Sequence, residues 1–527
     1  MHHALTIPEL IHKILLHVSP SVLAFGVNTV SKLWSDVSAE IIWYKLDDLR
    51  PLLRLIGEIK LNDHPERESD FSEICEFSSL YEDWSRFDFY SRHVRVLSLG
   101  GSVIDFQPAL NDVAMLRSGK VFLPRLKELE WSNCERDSWK SSVFMMHEGI
   151  TTFLLYIPWD LYKDGHTHMV QYFSFIAARL PCLEYLHIDT MRHRDPNISQ
   201  LGSALELLVS KLTSLKTIRF PPFVNTFSIL SATSTLPHIT TIFVEDSSSY
   251  PVHTPLLPSG LPCTLPSQLG TLHVSMAFKD ATRLFHTDLP NLLDIFLQSG
   301  QCEAPPTVHR LTKVISQSCH NVRELQLNSQ GASQGFTGNI PDCIAIADIA
   351  PLFSCSAMEE FTIEHAFPLL LSNPDIQTLL TKWPALKVLN LNSCPLSLPP
   401  REINLPLPEW KTLATFAWYG SNLRTLGLYM NGLVDIPNNK DAYPFARLDQ
   451  LYVGTSEIRG THNEARFLSY ILPSGCTIIP TPVGATYVTW NRIVPFVSAF
   501  QEVREEEREA RKELEGRVME LEALLAS

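Results

Sequence analysis

The stretch Leu386-Lys-Val-Leu389-Asn-Leu391-Asn-Ser-Cys394 carries leucine at its first, fourth and sixth positions and cysteine at its ninth. The same spacing recurs in Leu126-Lys-Glu-Leu129-Glu-Trp131-Ser-Asn-Cys134 and in Leu423-Arg-Thr-Leu426-Gly-Leu428-Tyr-Met-Asn431. Weaker copies without the final Asn or Cys begin at Val94, Ile150, Leu183, Leu215, Ile239, Leu269, Leu292, Val322, Met358 and Leu448. Self-similarity at intervals of roughly 20 to 50 residues is the sequence signature of stacked repeat units.

Segments with helical character separate these copies, at 169–179, 202–212, 308–316 and 376–382. The alternation of a short apolar strand with a helix resembles leucine-rich repeats, whose units each contribute a strand, a turn and a helix. One unit cannot bury its apolar face unaided, so neighbouring units stack into one continuous core. We therefore predict an α/β fold in which residues 93–480 form a leucine-rich-repeat solenoid, with a curved parallel sheet and its helices outside. The solenoid is expected to be irregular because the copies are unevenly spaced. The alternative is an α/β domain of another kind whose buried strands share this spacing by coincidence.

Residues that flank the buried strand positions are expected on the concave face of that solenoid, because successive strand residues face opposite sides of a sheet. The candidate target-binding residues are Glu128, Glu130, Tyr185, Asp189, Glu245, Phe296, Glu324, Glu360, Glu364, Tyr429 and Tyr452. The same reasoning places Tyr156, His187, Arg219, Phe243, His273 and Asp294 on that face. A largely acidic surface with interspersed aromatic residues predicts a basic or aromatic-rich protein segment as the bound target. The alternative is an ordinary solvated charged face, and a register error of one residue would exchange the whole set.

The first fifty residues follow a different pattern, in which apolar side chains recur at helical spacing. Thr6 and Glu9 have the positions of a capping box at the start of a helix. Ser19-Pro20 repeats the start signal for a short second helix, which Gly26 is expected to end. A third helix is predicted from Val30 through Leu46. Three helices of this size bury little apolar surface, so they are expected to dock onto the rest of the chain or onto a partner.

The blocks Ile7-Pro8-Glu9-Leu10, Val30-Ser31-Lys32-Leu33-Trp34 and Trp43-Tyr44-Lys45-Leu46 resemble, in order, the signature of the F-box family. Asp48-Leu49-Arg50-Pro51-Leu52-Leu53 resembles the extension of fungal members, whereas Ile7 replaces the usual Leu. The resemblance implies that residues 1–50 are an F-box that binds the Skp adaptor, and through it cullin, in an SCF-type cullin-RING ubiquitin ligase. The repeats would then present an unknown protein substrate for ubiquitination. The residues implied in the adaptor contact are Ile7, Pro8, Leu10, Ile11, Ile14, Leu15, Val30 and Trp34. The alternative is an ordinary N-terminal helical cap with its tryptophans in the core.

Residues 51–92 are predicted to be a helical linker, and residues 481–527 a C-terminal cap followed by an exposed charged helix. That helix is expected to open at Ile493-Val494-Pro495-Phe496, after a last strand at Cys476-Thr-Ile-Ile. Heptad spacing relates Leu514, Val518, Leu521 and Leu525. This apolar pattern is shorter than the three or four heptads, roughly, that indicate a coiled coil. A solvated helix is therefore predicted, with a short dimerisation helix as the alternative.

Composition narrows the class of partner. The net charge of −14 argues against nucleic acid, because binding to a duplex depends on neutralisation of phosphates by Lys and Arg. The chain has no apolar run long enough to predict a membrane span, and residues 1–4 do not resemble a signal peptide. The ten cysteines are scattered without a Cys-x-x-Cys pair, which is typical of buried thiols in a reducing compartment. We therefore expect a cytoplasmic or nuclear protein.

Motifs typical of catalysis are few in this sequence. It contains no phosphate-binding Gly-Lys-Ser/Thr loop and no Gly-x-Gly-x-x-Gly. Gly331-Ala-Ser333-Gln-Gly335 has the Gly-x-Ser-x-Gly spacing, but its Gly and Ser content is that of a loop. His166, His168 and His193 lack a Cys or acidic partner at ligand spacing, so neither a metal site nor a cofactor is predicted. Three hypotheses follow: a substrate-recognition adaptor of a ubiquitin ligase, a repeat scaffold without ligase function, and an enzyme with an unrecognised site. The prediction is that the chain is not an enzyme.

Overall fold

The computed structural model describes residues 6–63, 73–99, 104–117, 119–132, 139–157, 166–190, 199–223, 225–245, 263–331, 343–397, 405–437, 443–482 and 484–526. The chain divides into two compact units. The first unit comprises Met1–Ser249 and Pro255–Pro266, and the second comprises Tyr250–Thr254 and Ser267–Ser527.

Parallel strands form the main sheet of the first unit. Its described strands are β1 Lys45–Leu46, β2 Gly57–Asp63, β3 Glu73–Leu80, β4 Val96–Ser98, β5 Ile104–Asp105, β6 Glu128–Trp131, β7 Thr152–Ile157, β8 Tyr185–Thr190, β9 Thr217–Phe220 and β10 Thr241–Val244. β1, β4 and β6 to β10 pair in that order, each parallel to the next. A smaller sheet pairs β2 with β3 antiparallel and β3 with β5 parallel.

The second unit repeats this arrangement. Its described strands are β11 Thr271–Ser275, β12 Asp294–Gln298, β13 Glu324–Ser329, β14 Glu360–His365, β15 Val388–Leu391, β16 Thr425–Leu428, β17 Asn431–Gly432, β18 Gln450–Gly454, β19 Glu457–Ile458 and β20 Thr477–Pro480. β11 to β16, β18 and β20 pair in that order and are parallel throughout. β17 and β19 form a separate parallel pair.

Helices connect most of these strands. In the first unit they are α1 Pro8–Leu15, α2 Pro20–Phe25 and α3 Lys32–Ile42, followed by Arg50–Leu53, Ser85–Ser91, Gln107–Leu116, Trp139–Met145, His166–Arg179, Ser199–Val209 and Thr226–Thr233. In the second they are Phe278–Ala281, Pro305–Ser318, Ile346–Ile349, Asn373–Lys382, Trp410–Tyr419, His462–Ile471 and Gly484–Ala526. Parallel strands need such crossover connections, so each unit has the strand–helix alternation of a leucine-rich-repeat fold.

The repeat positions predicted from the leucine spacing are confirmed. A strand begins two residues after each predicted start, as Glu128 follows Leu126 and Val388 follows Leu386. The starting residues are all buried, and the strand positions then alternate between half-buried and buried, as in the pattern of β6, β7 and β12. Each apolar side chain that is buried in this way stabilises the fold by about 1.5 to 3 kcal/mol. The alternation therefore confirms the predicted register and the α/β fold.

Several predicted element boundaries are wrong. Ile7, rather than Thr6, is the extended residue before α1, and its carbonyl accepts the first helical hydrogen bonds. The third helix ends at Ile42, because Lys45–Leu46 pairs with β4 as a strand instead of continuing the helix. The segment 51–92, predicted to be helical, also contains the antiparallel pair of β2 and β3.

The C-terminal helix also begins earlier than predicted. It starts at Gly484, so Pro495 lies inside the helix rather than in its first turn. Proline removes one backbone hydrogen bond there. Burial of Trp490 and Ile493 against the second unit on the turns before it offsets that loss. Tertiary packing has thus overridden the local start signal.

The described part of the chain contains no helix that is long and apolar enough to cross a membrane. Its described cysteines are free thiols, of which Cys182 is exposed and Cys302, Cys394 and Cys476 are half-buried. The expectation that the thiols are buried is therefore only partly confirmed.

Candidate functional site

The three N-terminal helices fold around a small core of their own. Ser31 caps α3, and its hydroxyl accepts a hydrogen bond from the backbone N–H of Trp34 at 3.3 Å. The buried members of the core are Ile11, Leu15, Leu23, Val27 and Val37. Half-buried Val18, Leu33, Trp34, Ile41 and Ile42 pack against them. This core fixes which side of each helix is left facing solvent.

Other apolar side chains of the same helices are exposed. We call them the N-terminal apolar set: Leu10, Ile14, Leu16, Val22, Phe25 and Val30. Their exposure ranges from 39% for Leu10 to 84% for Phe25. In α1, Leu10 and Ile14 each precede a buried residue by one position, which corresponds to about 100° around the helix. The helix therefore carries two apolar stripes, one packed into the core and one facing solvent.

The residues predicted for adaptor binding divide between these two environments. Pro8, Leu10, Ile14 and Val30 are exposed, and Ile7 is half-buried. Ile11 and Leu15 are buried in the core, and Trp34 packs against it. Leu16, Val22 and Phe25 are exposed but were not predicted. Apolar side chains in and beside helices this short could have indicated them, since a core so small cannot cover them all.

The N-terminal helices are joined directly to the sheet of the first unit. Lys45 and Leu46 pair with Val96 and Leu97, only a few residues after α3 ends. The Tyr44 carbonyl accepts hydrogen bonds from the backbone N–H groups of Arg95 and Val96, at 2.9 and 3.0 Å. The ring of Trp43 lies 4.8 Å from that of Tyr90. These contacts hold the end of α3 in a defined position on the strand ladder.

The candidate target-binding face of the first unit is of mixed charge. Arg219 pairs with Glu245 at 3.2 Å, and its guanidinium lies over the ring of Phe243 at 5.9 Å. The rings of Tyr156 and His187 are 5.7 Å apart. Burial lowers the pKa of the His187 imidazole, and the nearby Arg219 charge lowers it further. This part of the face therefore combines an ion-paired guanidinium and a buried imidazole with aromatic rings.

The other predicted residues of this face surround that group. Glu128 and Glu130 are half-buried on β6, and Glu130 accepts a hydrogen bond from the Ser98 hydroxyl at 2.5 Å. Tyr185 is half-buried, whereas Asp189 is buried. Burial raises the pKa of the Tyr156 hydroxyl, and the Glu130 and Asp189 carboxylates raise it further. Of the predicted acids, Asp189 is thus the least accessible to a partner.

The second unit aligns three carboxylates on neighbouring strands. We call Asp294, Glu324 and Glu360 the acidic row, because the register places Asp294 opposite Glu324 and Glu324 opposite Glu360. Glu324 is largely exposed, and the pKa of its carboxyl is raised by partial desolvation and further by the charges of Glu360 and Asp294. His273 contacts Asp294 at 3.0 Å. The row is therefore a run of mutually repelling carboxylates on the predicted target-binding face.

Cations lie beside the row but are engaged elsewhere. Arg323 is 3.8 Å from the Glu359 carboxylate, and Lys387 forms a second ion pair with that same group. Lys387, and to a smaller extent Arg323, hold the pKa of the Glu359 carboxyl below its usual value. Arg323 and Lys387 thus neutralise Glu359, the residue before Glu360 in sequence, rather than the carboxylates of the acidic row.

The remaining predicted residues of this face are partly accessible. Phe296 is half-buried, and its ring is 5.5 Å from that of His273. Glu364 accepts a hydrogen bond from the Asn328 amide at 3.0 Å, and burial raises its pKa. Tyr429 and Tyr452 are half-buried near the far end of the ladder. The face thus extends over most strands of the second unit.

Two neighbouring residues of the second unit, Cys302 and His365, have the elements of a nucleophile–base pair. The Cys302 sulfur is 3.4 Å from Nε2 of the buried His365. However, His365 Nδ1 accepts a hydrogen bond from the Phe367 N–H, and Nε2 lies 2.9 Å from the Glu303 carbonyl. These partners assign the ring proton to Nε2, so neither nitrogen is positioned to take the thiol proton. An activated cysteine needs such a base, and the arrangement is that of a structural histidine.

Glu303, next to this pair, is buried and acts as a hydrogen-bond acceptor. Its Oε1 accepts from the backbone N–H of Phe278 at 2.8 Å, from the Ser299 hydroxyl at 2.7 Å and from the Gln301 amide at 3.2 Å. The carboxylate thereby ties the start of one helix to the segment that precedes the next.

A metal centre is not formed by the side chains that the structure describes, among which no three His, Cys, Asp or Glu groups are arranged to hold an ion. His193 lies outside the described residues, and the side chains of His166 and His168 are likewise not described.

No family model matches this chain, and no curated protein sequence matches it. Among solved structures, the crystal structure of the leucine-rich repeat-containing protein LegL7 from Legionella pneumophila is similar to it at 10% sequence identity, with a TM-score of 0.32. The match covers 69% of this chain and 94% of that chain. The leucine-rich-repeat fold described above rests on the strand register and burial of this chain itself.

Proposed function

We propose that this protein is a substrate-recognition subunit of an SCF-type cullin-RING ubiquitin ligase. The N-terminal helices would bind the Skp adaptor, and the repeat face would bind a protein target. The single observation that carries the proposal is the N-terminal apolar set, which lies on helices whose sequence blocks resemble an F-box. Such a subunit contributes proximity between target and ligase and needs no catalytic site of its own.

Exposure of the apolar set supports docking over simple capping. A helical cap at the end of a repeat array presents a polar outer face. Here Leu10, Ile14, Val22, Phe25 and other large apolar side chains face solvent within one short segment. Large apolar and aromatic side chains that become buried in an interface supply most of its binding energy. The set is therefore suited to burial by a protein partner.

The connection between helices and sheet supports the second half of the proposal. The short β1 strand joins the end of α3 to the ladder of the first unit. An adaptor bound to the helices would thus be held in a fixed relation to the repeat face of that unit. In the second unit, the acidic row would attract a basic segment of the target and steer its association.

The first experiment is a titration of the full-length chain with purified Skp adaptor. Leu10→Ser combined with Phe25→Ser is expected to weaken binding by at least about 30-fold, because both side chains would lose their burial in the interface. Leu207→Ser is the matched control, since Leu207 is also an exposed leucine on a helix of the first unit. The two exposed substitutions are expected to leave the thermal unfolding midpoint within about 2 °C of wild type.

Two results would contradict the adaptor assignment. One is failure of the wild-type chain to bind the adaptor. The other is binding that the double substitution reduces no more than Leu207→Ser does. Either result would favour a leucine-rich-repeat scaffold without ligase function, whose target-binding face would be unaffected. If the ligase assignment holds, the protein acts where the SCF machinery is present, in the cytoplasm or the nucleus.

A further inference from the structure

The C-terminal helix, Gly484–Ala526, consists of a packed part and an unpacked part. In the packed part, Trp490 and Val497 are buried, and the Trp490 indole donates a hydrogen bond to the Ser456 carbonyl at 2.9 Å. The Arg504 guanidinium donates to the Arg466 carbonyl at 3.1 Å. It also lies 5.3 Å from the ring centre of Tyr470. Arg504 is the last described residue of the helix with such a contact to the rest of the second unit.

Beyond Arg504 the helix leaves the surface of the unit. Over 505–523 the described side chains are exposed, with the half-exposed Gly516 as the exception. The 22 residues from 505 to 526 extend the helix by roughly 33 Å. The extension continues a helix that is already nucleated on the packed part, although Gly516 costs about 1 kcal/mol relative to alanine.

Leu514, Val518 and Leu521 fall on one side of this extension, whereas the exposed Met519 lies off that side. With Arg511 at heptad position a, Leu514 and Leu521 take position d and Val518 takes position a. All three apolar side chains are more than half exposed. A β-branched residue at a with leucine at d favours two-stranded parallel coiled coils. Leu525 has the next a position by sequence.

The charges beside the stripe identify the partner. Arg517 has position g and Glu522 the following position e, and both are exposed. In a parallel pair of identical helices, g of one chain faces e of the next heptad in the other, so Arg517 meets Glu522 twice. In an antiparallel pair, g faces g and e faces e, which places like charges together. This charge pair is thus complementary in a parallel copy of the helix, and the apolar contact begins after Arg511, at Leu514.

We propose that a second copy of this chain covers the apolar stripe that begins at Leu514, so that two chains associate through a short parallel coiled coil. The proposal is independent of adaptor binding, which involves the other end of the chain. An interface this short is expected to be weak. The dimer is therefore expected to form as concentration rises.

Sedimentation velocity of the full-length chain over rising concentrations tests the proposal. The wild-type mass is expected to move from 59.6 kDa toward twice that value. Arg517→Glu alone and Glu522→Arg alone each place like charges together and are expected to weaken dimerisation by at least about tenfold. The double charge reversal restores opposite charges and is expected to restore the dimer. Because both side chains are exposed, all variants should unfold at the wild-type temperature.

Three results would overturn the proposal. The first is a wild-type chain that keeps its monomer mass at every concentration. Single variants that dimerise as well as wild type overturn it too, because they show a contact elsewhere or an antiparallel pair. So does a double variant that remains monomeric. Adaptor binding is expected to be unchanged in every variant, so failure of this proposal is distinguishable from failure of the ligase assignment.

Discussion

Glu324→Gln is expected to stabilise the second unit at neutral pH, because it removes the central charge of the acidic row. Neighbouring parallel strands lie about 4.8 Å apart. With the carboxylates roughly 6 Å apart, each neighbour repels Glu324 by about 0.7 kcal/mol in water, or about 1.4 kcal/mol for Asp294 and Glu360 together. Screening over a Debye length of about 8 Å roughly halves this energy. The expected gain in unfolding free energy is therefore about 0.7 kcal/mol, or about 2 °C in the unfolding midpoint.

The pH dependence follows from the raised pKa of Glu324. Between the ordinary glutamate pKa of about 4.3 and the raised value, the folded state binds more protons than the unfolded state. Stability of the wild type therefore falls as pH rises through that window, and the penalty is complete above it. Calorimetry should give a difference between variant and wild type that is full at neutral pH and vanishes below the ordinary glutamate pKa. It should also shrink in concentrated NaCl.

Glu128→Gln is the matched control for this measurement. Glu128 has the same repeat position in the first unit, but the residues opposite it are Val96 and Thr152, which carry no charge. The same substitution there should leave the unfolding midpoint unchanged. The reasoning fails if Glu324→Gln destabilises the protein at neutral pH. It also fails if the two variants gain equally, since the gain would then not arise from the row.

Three further substitutions, two of them with a matched control, probe the packing described above. Glu303→Ala should lower the free energy of unfolding by about 3 kcal/mol, measured by urea unfolding, because it leaves a buried backbone N–H without its acceptor. Glu502→Ala, at an exposed position of a helix, should leave that free energy unchanged. Equal effects of the two substitutions would contradict this role of Glu303. Ile11→Ala should cost about 2 to 4 kcal/mol, and Leu10→Ala less than about 1 kcal/mol, so a reversed order would show that the core of the N-terminal helices is misassigned. Trp490→Ala should cost about 4 kcal/mol and should unfold the attached end of the C-terminal helix, measured as lost helical circular dichroism.

Much of the repeat architecture could be predicted from the sequence. Strand positions followed from the apolar spacing, because successive strand residues face opposite sides of the sheet, so that an apolar buried residue alternates with a residue that faces solvent. Local start signals were less reliable. Pro495 predicts the beginning of a helix that in fact starts at Gly484. Residues 43–46 predict the end of a helix that in fact stops at Ile42. In both places packing against the rest of a unit outweighed the local preference.

The sequence by itself determined the α/β class, the strand register and the N-terminal helices, because the spacing of apolar residues matches the period of a buried strand or helix face. Only the tertiary structure decided which apolar side chains of those helices remain exposed. Leu10 and Ile11 are adjacent and similarly hydrophobic. Packing with α2 and α3 buries Ile11 and leaves Leu10 exposed to solvent. Likewise, Asp294, Glu324 and Glu360 are more than twenty-five residues apart in sequence. They become one acidic row only because parallel strands stack in register, a long-range pairing that no local pattern specifies.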